Sequence, residues 1–205
     1  MKQYKNIIFD LGGVIINLDY QATTNAFTKL CGRDMSEVYS QKRQDPIFDD
    51  IETGKISPHE FREGLKQLFN FEASHDQIDA VWNALLLDIP PSRIDLLKQL
   101  KAQKRIFLLS NTNAIHKIAF ERILKKATGI PKLDPLFEKA YYSHELNDRK
   151  PNVSIFERVI DENALNPAET LFIDDSAQHI IGAKQAGLHA YHLTAPTTIL
   201  DLGLV

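Results

Sequence analysis

Asn6-Ile7-Ile8-Phe9-Asp10-Leu11-Gly12-Gly13 joins three consecutive apolar residues to an aspartate and two glycines. A short apolar run between polar residues reads as a buried strand, and glycines directly after it read as the loop it feeds. Asp10 therefore stands where a strand stops. The form recurs downstream. Arg105-Ile106-Phe107-Leu108-Leu109 runs into Ser110-Asn111, and Leu171-Phe172-Ile173 runs into Asp174-Asp175. Lys139-Ala140-Tyr141-Tyr142 and His189-Ala190-Tyr191-His192-Leu193 read as two further strands. Helical patterns lie between them, at Ile115, Ile118, Ala119 and Ile123, at Ile155, Phe156, Val159 and Ile160, and at Ala177, Ile180, Ile181 and Ala183. Strands alternating with helices of about 10–15 residues predict an α/β fold, a Rossmann-like parallel sheet covered by helices on both faces.

Between Asn17 and Asp88 the texture changes, and nothing alternates over strand length. Ala22, Ala26, Phe27 and Leu30 share a helical face that Gly32 stops. Ser57-Pro58-His59-Glu60 reads as a capping box with proline at the first helical position, followed by the stripe Phe61, Leu65, Leu68 and Phe69. Ser74 with Gln77 repeats the box before Ile78, Val81, Trp82, Leu85 and Leu86. Pro90-Pro91 marks the return to the sheet, with Ser92 and Asp95 capping the next helix. The expectation is a small helical subdomain, residues 17–88, inserted into a core made of residues 1–16 and 89–205.

The chain has 205 residues, 43% apolar and 25% charged, with a formal charge of -3 and one cysteine, Cys31. These values suit one globular α/β unit and imply no nucleic-acid partner. A lone cysteine excludes an internal disulfide and a multi-cysteine metal cluster. No apolar run reaches the roughly 18 residues of a membrane span, and the N-terminal residues do not read as a signal peptide. The expected setting is cytoplasmic, without a membrane partner.

In a parallel sheet the residues that end the strands share one edge, so Asp10, Ser110 and Asp174-Asp175 meet there. Two readings of the carboxylates are open: they end strands in wet loops, or they hold a cation that relieves their repulsion. Oxygen ligands without histidine or cysteine favour Mg²⁺ over zinc. Gly12 and Gly13 let backbone amides approach an anion, Ser110 and the amide of Asn111 are placed to hold another phosphate oxygen, and Lys150 is placed to neutralise charge. Singly, Gly-Gly is a turn, Ser-Asn a cap and Arg149-Lys150 a solvated face; their order along the chain joins them.

Phe9-Asp10-Leu11-Gly12-Gly13-Val14, Leu109-Ser110-Asn111-Thr112-Asn113, Arg149-Lys150-Pro151 and Phe172-Ile173-Asp174-Asp175-Ser176 resemble the four ordered motifs of the haloacid dehalogenase-like hydrolase superfamily. The look is that of small bacterial sugar-phosphate phosphatases of the alpha-glucose-1-phosphate phosphatase kind. The resemblance implies a Mg²⁺-dependent phosphatase acting on a small phosphorylated metabolite through an aspartyl-phosphate on Asp10. It implies that Ser110 and Asn111 bind the transferring phosphate and that Lys150 offsets charge. The Gly12 carbonyl, Asp10 and Asp175 would hold the metal, with Asp174 acting directly or through water. Residues 17–88 then correspond to the cap. Carbon–halogen cleavage fits less well, because it needs no metal.

Gly12 departs from the commoner pattern, in which a second aspartate two residues after the nucleophile protonates the leaving alcohol and activates water. Two expectations follow: anomeric or aryl phosphates preferred over primary-alcohol phosphates, or a phosphate-ester-binding protein with negligible turnover. Asp19 is a candidate replacement acid. Asn113, His116 and Arg149 lie near the phosphate motifs as candidate substrate contacts, with a structural role the competing reading for His116. Trp82 and Phe61 are read as cap core.

Overall fold

The computed structural model describes residues 1, 3–32 and 45–205; residues 33–44, part of the expected cap, lie outside the described residues. Five strands, β1 Asn6–Phe9, β2 Arg105–Ser110, β3 Lys139–Tyr142, β4 Thr170–Asp174 and β5 His189–His192, form one sheet in the order β3-β2-β1-β4-β5. All four pairings are parallel, with Phe9 beside Leu108 on one side and beside Ile173 on the other. Chain order runs outward from β1 to β3 and then restarts with β4 on the opposite side, so β1 sits at the switch point where such sheets open a crevice at their carboxyl ends.

The helices are α1 Tyr20–Cys31, α2 Pro46–Glu52, α3 Pro58–Phe69, α4 His75–Trp82, α5 Pro91–Lys101, α6 Ala114–Thr128, α7 Ser143–Leu146, α8 Val153–Glu162 and α9 Ala177–Gln185. Strand side chains alternate between two buried layers. Ile7, Phe9, Ile106 and Leu108 pack against Leu97 of α5 and Phe120 of α6, whereas Ile8, Phe107 and Phe172 pack against Phe156 of α8 and Ile180 of α9. Covering on both faces is why the strands read as unbroken apolar runs.

The insertion, α1 to α4, packs Phe27, Phe48, Phe61, Leu65, Ile78 and Trp82 into a cluster that Ile115 of α6 joins from the core, with Trp82 and Phe61 buried as read. Its two connections to the sheet are tied together by Asn17 N–H to Asp88 O and Leu87 N–H to Asn17 O. Both capping boxes form, and Gly32 closes α1 in the left-handed region at φ 72°. Two readings change. α5 begins at Pro91 without a side-chain cap, so Ser92 and Asp95 do not cap it. α2 was not anticipated; seven residues are too few for a period to show, although Asp45-Pro46 is an N-cap followed by proline at the first position.

Candidate active site

β1 and β4 bring Asp10, Asp174 and Asp175 together, one oxygen of each lying within 4.8 Å of the others. Lys150 enters among them from the loop before α8. Its Nζ is fully buried and donates to Asp10 Oδ1 and to Asp174 Oδ2, each at 2.7 Å. Burial alone would pull the ammonium down, but Asp10 and Asp174 hold its pKa above the ordinary value. The side chain of Asn111 fixes the lysine's backbone, donating from Nδ2 to Lys150 O and accepting Lys150 N–H, both at 2.9 Å.

The three carboxylates are not equivalent. Asp174 accepts from Lys150 and from Ser176 N–H at 2.7 Å, and His179 Nδ1 stands 2.9 Å from its Oδ2. Burial raises the Asp174 pKa, but Lys150 and His179 outweigh it and hold the group below the carboxylate range. Burial pushes Asp10 up, and so do Asp174 and Asp175, against the pull of Lys150. Asp175 is raised by burial and by Asp174. Among the described residues no side chain hydrogen-bonds to the Asp175 carboxylate. Three carboxylates against one buried ammonium leave two negative charges when all are ionised, and every donor atom is oxygen; this set fits a hard dication.

The loop after β1 explains its two glycines differently. A β-carbon at residue 13, where φ is +66°, would stand 2.3 Å from Asp175 Oδ2, so only glycine lets the loop lie against that carboxylate. The Gly13 N–H is spent on Ile16 O at 2.9 Å, which removes it from the expected anion-binding amides. The N–H groups of Leu11, Gly12 and Asn111, by contrast, are given to no acceptor among the described residues. A β-carbon at residue 12 would lie 2.6 Å from Leu18 Cδ1; Leu18 fills the space that a longer side chain there would need.

A cavity of about 120 Å³ opens over the carboxylates, lined by Asp10, Gly12, Asn111, Lys150 and Asp175 together with Tyr20, Glu52, Arg149 and His179. A recess of about 70 Å³ adjoins it, sharing Gly12, Leu18, Tyr20, Glu52 and Asn111 and reaching Ser110. A separate crevice of about 420 Å³ between α3, α4 and α6 contains none of the strand-end carboxylates.

Of the remaining expected residues, Arg149 reaches the mouth, where it pairs with Asp49 and with Glu52 of α2. Asn113 does not: it is fully buried and caps α6, accepting the N–H groups of Ile115 and His116. His116 borders the recess, but its ring stacks on Trp82 at 4.7 Å and its Nδ1 lies 2.8 Å from Asn83 Oδ1, so it joins core to cap. Asp19 caps α1 with its Oδ1, accepting from Gln21 N–H and Ala22 N–H, and is not an acid of the site. Sequence reasoning missed Tyr20, Glu52 and His179. His179 was findable, since it lies in the first turn of the helix that follows Asp174-Asp175.

Residues 4–187 match the family model for haloacid dehalogenase-like hydrolases. A D-ribitol-5-phosphate phosphatase from Bacteroides thetaiotaomicron is 32% identical, the alignment covering 91% of this chain and 90% of that protein. A wild-type HAD-family enzyme from the same organism, solved in complex with magnesium and inorganic phosphate, is 37% identical and superposes with a TM-score of 0.84 over 96% of this chain and 97% of the other. A predicted HAD-like hydrolase from Porphyromonas gingivalis is 32% identical, with a TM-score of 0.83 over 92% and 90% of the two chains. From the strand that delivers Asp10 to the helix that follows Asp174-Asp175, the chain is covered by that family model, and it belongs to the haloacid dehalogenase-like hydrolase family.

Proposed function

We propose that the chain hydrolyses the phosphate monoester of a small sugar or sugar alcohol, with Asp10 as the nucleophile. The carrying observation is the Lys150 ammonium, 2.7 Å from both Asp10 and Asp174, at the floor of a small mouth covered by α1 and α2. The family of hydrolases to which the chain belongs and the relative solved with magnesium and inorganic phosphate support Mg²⁺-dependent hydrolysis of a phosphate ester through an aspartyl-phosphate, in preference to binding without turnover.

The geometry supports the following roles. Lys150 keeps the Asp10 carboxylate oriented and offsets charge gathering on the phosphoryl oxygens. The uncommitted N–H groups of Leu11, Gly12 and Asn111, with the Ser110 hydroxyl, supply further donors for those oxygens. Asp10, the Gly12 carbonyl and Asp175 are the proposed holders of Mg²⁺, and Asp174, already engaged by Lys150, Ser176 and His179, acts on it through water. When bound, the ion neutralises charge on the transferring group. An oxygen of Asp10 attacks phosphorus as the ester P–O bond breaks and the departing alcohol oxygen takes a proton from solvent water; a second water then attacks phosphorus and gives up its proton to solvent, and phosphate leaves as the carboxylate is restored. Residue 12 gives no proton to either step.

Support for the substrate class comes from the covered mouth and from the curated relative, a D-ribitol-5-phosphate phosphatase. That ester is one of a primary alcohol, so the relative supports sugar and sugar-alcohol phosphates as a class and lends nothing to the expected preference for anomeric esters. The test ranks kcat/KM across a pentitol phosphate, hexose 1- and 6-phosphates, nucleotides and phosphoserine, with Mg²⁺ and after chelation. The pentitol or hexose phosphates are expected to lead. Highest efficiency on a nucleotide or a phosphoprotein contradicts the reading.

A further inference from the structure

Residue 12 brings no side chain to the leaving group, and Leu18 occupies the adjoining space. Among the described residues, the insertion lines the mouth with Leu18 and two polar side chains, a phenol and a carboxylate. Tyr20 opens α1 and Glu52 ends α2, and both line the cavity over Asp10 and the recess behind Gly12. We propose that Tyr20 and Glu52 form the subsite that selects the leaving group, recognising neutral polyhydroxy chains through their hydroxyls and disfavouring leaving groups that carry a second negative charge. This rests on the phosphatase reading above and deepens it.

Glu52 is held in place from the core side. Arg149 Nη2 lies 3.1 Å from its Oε2, in a pair whose side chains are 24% and 15% exposed, and the same guanidinium pairs with Asp49. The next residues dock on the core loop: Asn147 Nδ2 donates to Thr53 O at 3.0 Å, and a β-carbon at Gly54 would fall 2.2 Å from His144 O. A carboxylate accepts hydrogen bonds and offers none, so a hydroxyl is its natural partner and a second anion its poorest. Tyr20 supplies the complementary donor. Burial pushes its phenol up, and Asp175, Asp10, Glu52 and Asp174 push it further, so it stays a neutral O–H. Of the two cations at the mouth, Lys150 is committed to Asp10 and Asp174 and Arg149 to Asp49 and Glu52, which leaves an added carboxylate among five acidic groups, Asp175 included.

The experiment compares wild type, Glu52→Gln and Tyr20→Phe with Mg²⁺ on three esters: a pentitol phosphate, a phosphorylated hydroxy acid of similar length and an aryl phosphate. Ratios of kcat/KM within each variant cancel any loss of folded enzyme. In Glu52→Gln the pentitol-to-aryl ratio is expected to fall by about fivefold, since the amide still accepts but without the charge, and in Tyr20→Phe by about threefold to tenfold. The hydroxy-acid-to-pentitol ratio is expected to rise by about tenfold in Glu52→Gln. Ratios within twofold of wild type in both variants, on an enzyme that turns over the pentitol ester, overturn the subsite alone. A wild type that hydrolyses the aryl ester but no sugar or sugar-alcohol ester overturns the substrate reading and the subsite with it.

Discussion

The sheet core and the helical insertion solve different problems. The core collects charge: three carboxylates are held at the ends of strands buried on both faces, and a fully buried lysine reaches them from the loop before α8. The insertion collects apolar surface around one tryptophan, with Phe48 and His116 stacked on Trp82 at 5.3 and 4.7 Å, and its helices are started by local caps. The core's site depends on residues more than 100 positions apart, such as Lys150 and Asp10, and no local substitution replaces them. The insertion is built from separable local devices and meets the site through few side chains. That division lets one chemistry be kept while the residues that meet the substrate differ.

Substitutions on the two sides should therefore differ in size. The largest stability effect is expected in the core. Lys150→Met leaves Asp10 and Asp174 buried without their shared ammonium, and should lower stability by about 3–5 kcal/mol in chelator. Added Mg²⁺ should recover part of the loss by binding the folded carboxylates. Denaturant melts with and without Mg²⁺ read both effects, and a melt close to wild type in chelator would mean that the lysine contributes little to holding the site.

At the joint between the regions, burial lowers the His116 pKa from 6.5 to about 3. As pH falls below 6.5 the unfolded chain takes the proton first, so the stability this neutral histidine supports is present above 6.5 and is lost progressively toward pH 3. The expected slope is about 1.4 kcal/mol per pH unit from this one group, or roughly 2–3 kcal/mol between pH 6.5 and 4.5. His116→Asn should remove that slope; equal slopes in the two proteins would show that the ring protonates in place.

The smallest effect belongs to the insertion alone. Ser57 Oγ accepts Glu60 N–H at 3.2 Å, and Glu60 Oε2 accepts Ser57 N–H at 2.8 Å. Ser57→Ala should cost about 1 kcal/mol, appearing as faster hydrogen exchange in α3 with little change in the exchange of β1.

The same division decides what could be read from the sequence. Asp10, Ser110 and Asp174-Asp175 were legible because each follows an apolar run, and a parallel sheet puts all such ends on one edge. The capped helices α3 and α4 were legible because capping is local. Lys150 was legible as a cation standing before a helix, but its contacts with Asp10 and Asp174 join residues far apart in the chain, and only the fold reveals them. Gly13 was read as a supplier of amides, but its role is to make room for Asp175, which only packing reveals. Tyr20 and Glu52 carried no signal: the first looked like one more residue of an amphipathic helix, and the second ends a helix too short for periodicity. Asn113 and His116 look like substrate contacts by their distance in sequence from Ser110, yet the turn that starts α6 carries them into the cap joint.

The account's central claim is that Asp10 accepts the phosphoryl group. Mixing the enzyme with excess aryl phosphate and Mg²⁺, quenching in acid during turnover and mapping the peptides by mass spectrometry tests it directly. A phosphoryl group on Asp10, absent after chelation and absent in Asp10→Asn, is the predicted result. Steady turnover with a phosphoryl group on another residue, or turnover that survives in Asp10→Asn, would contradict it.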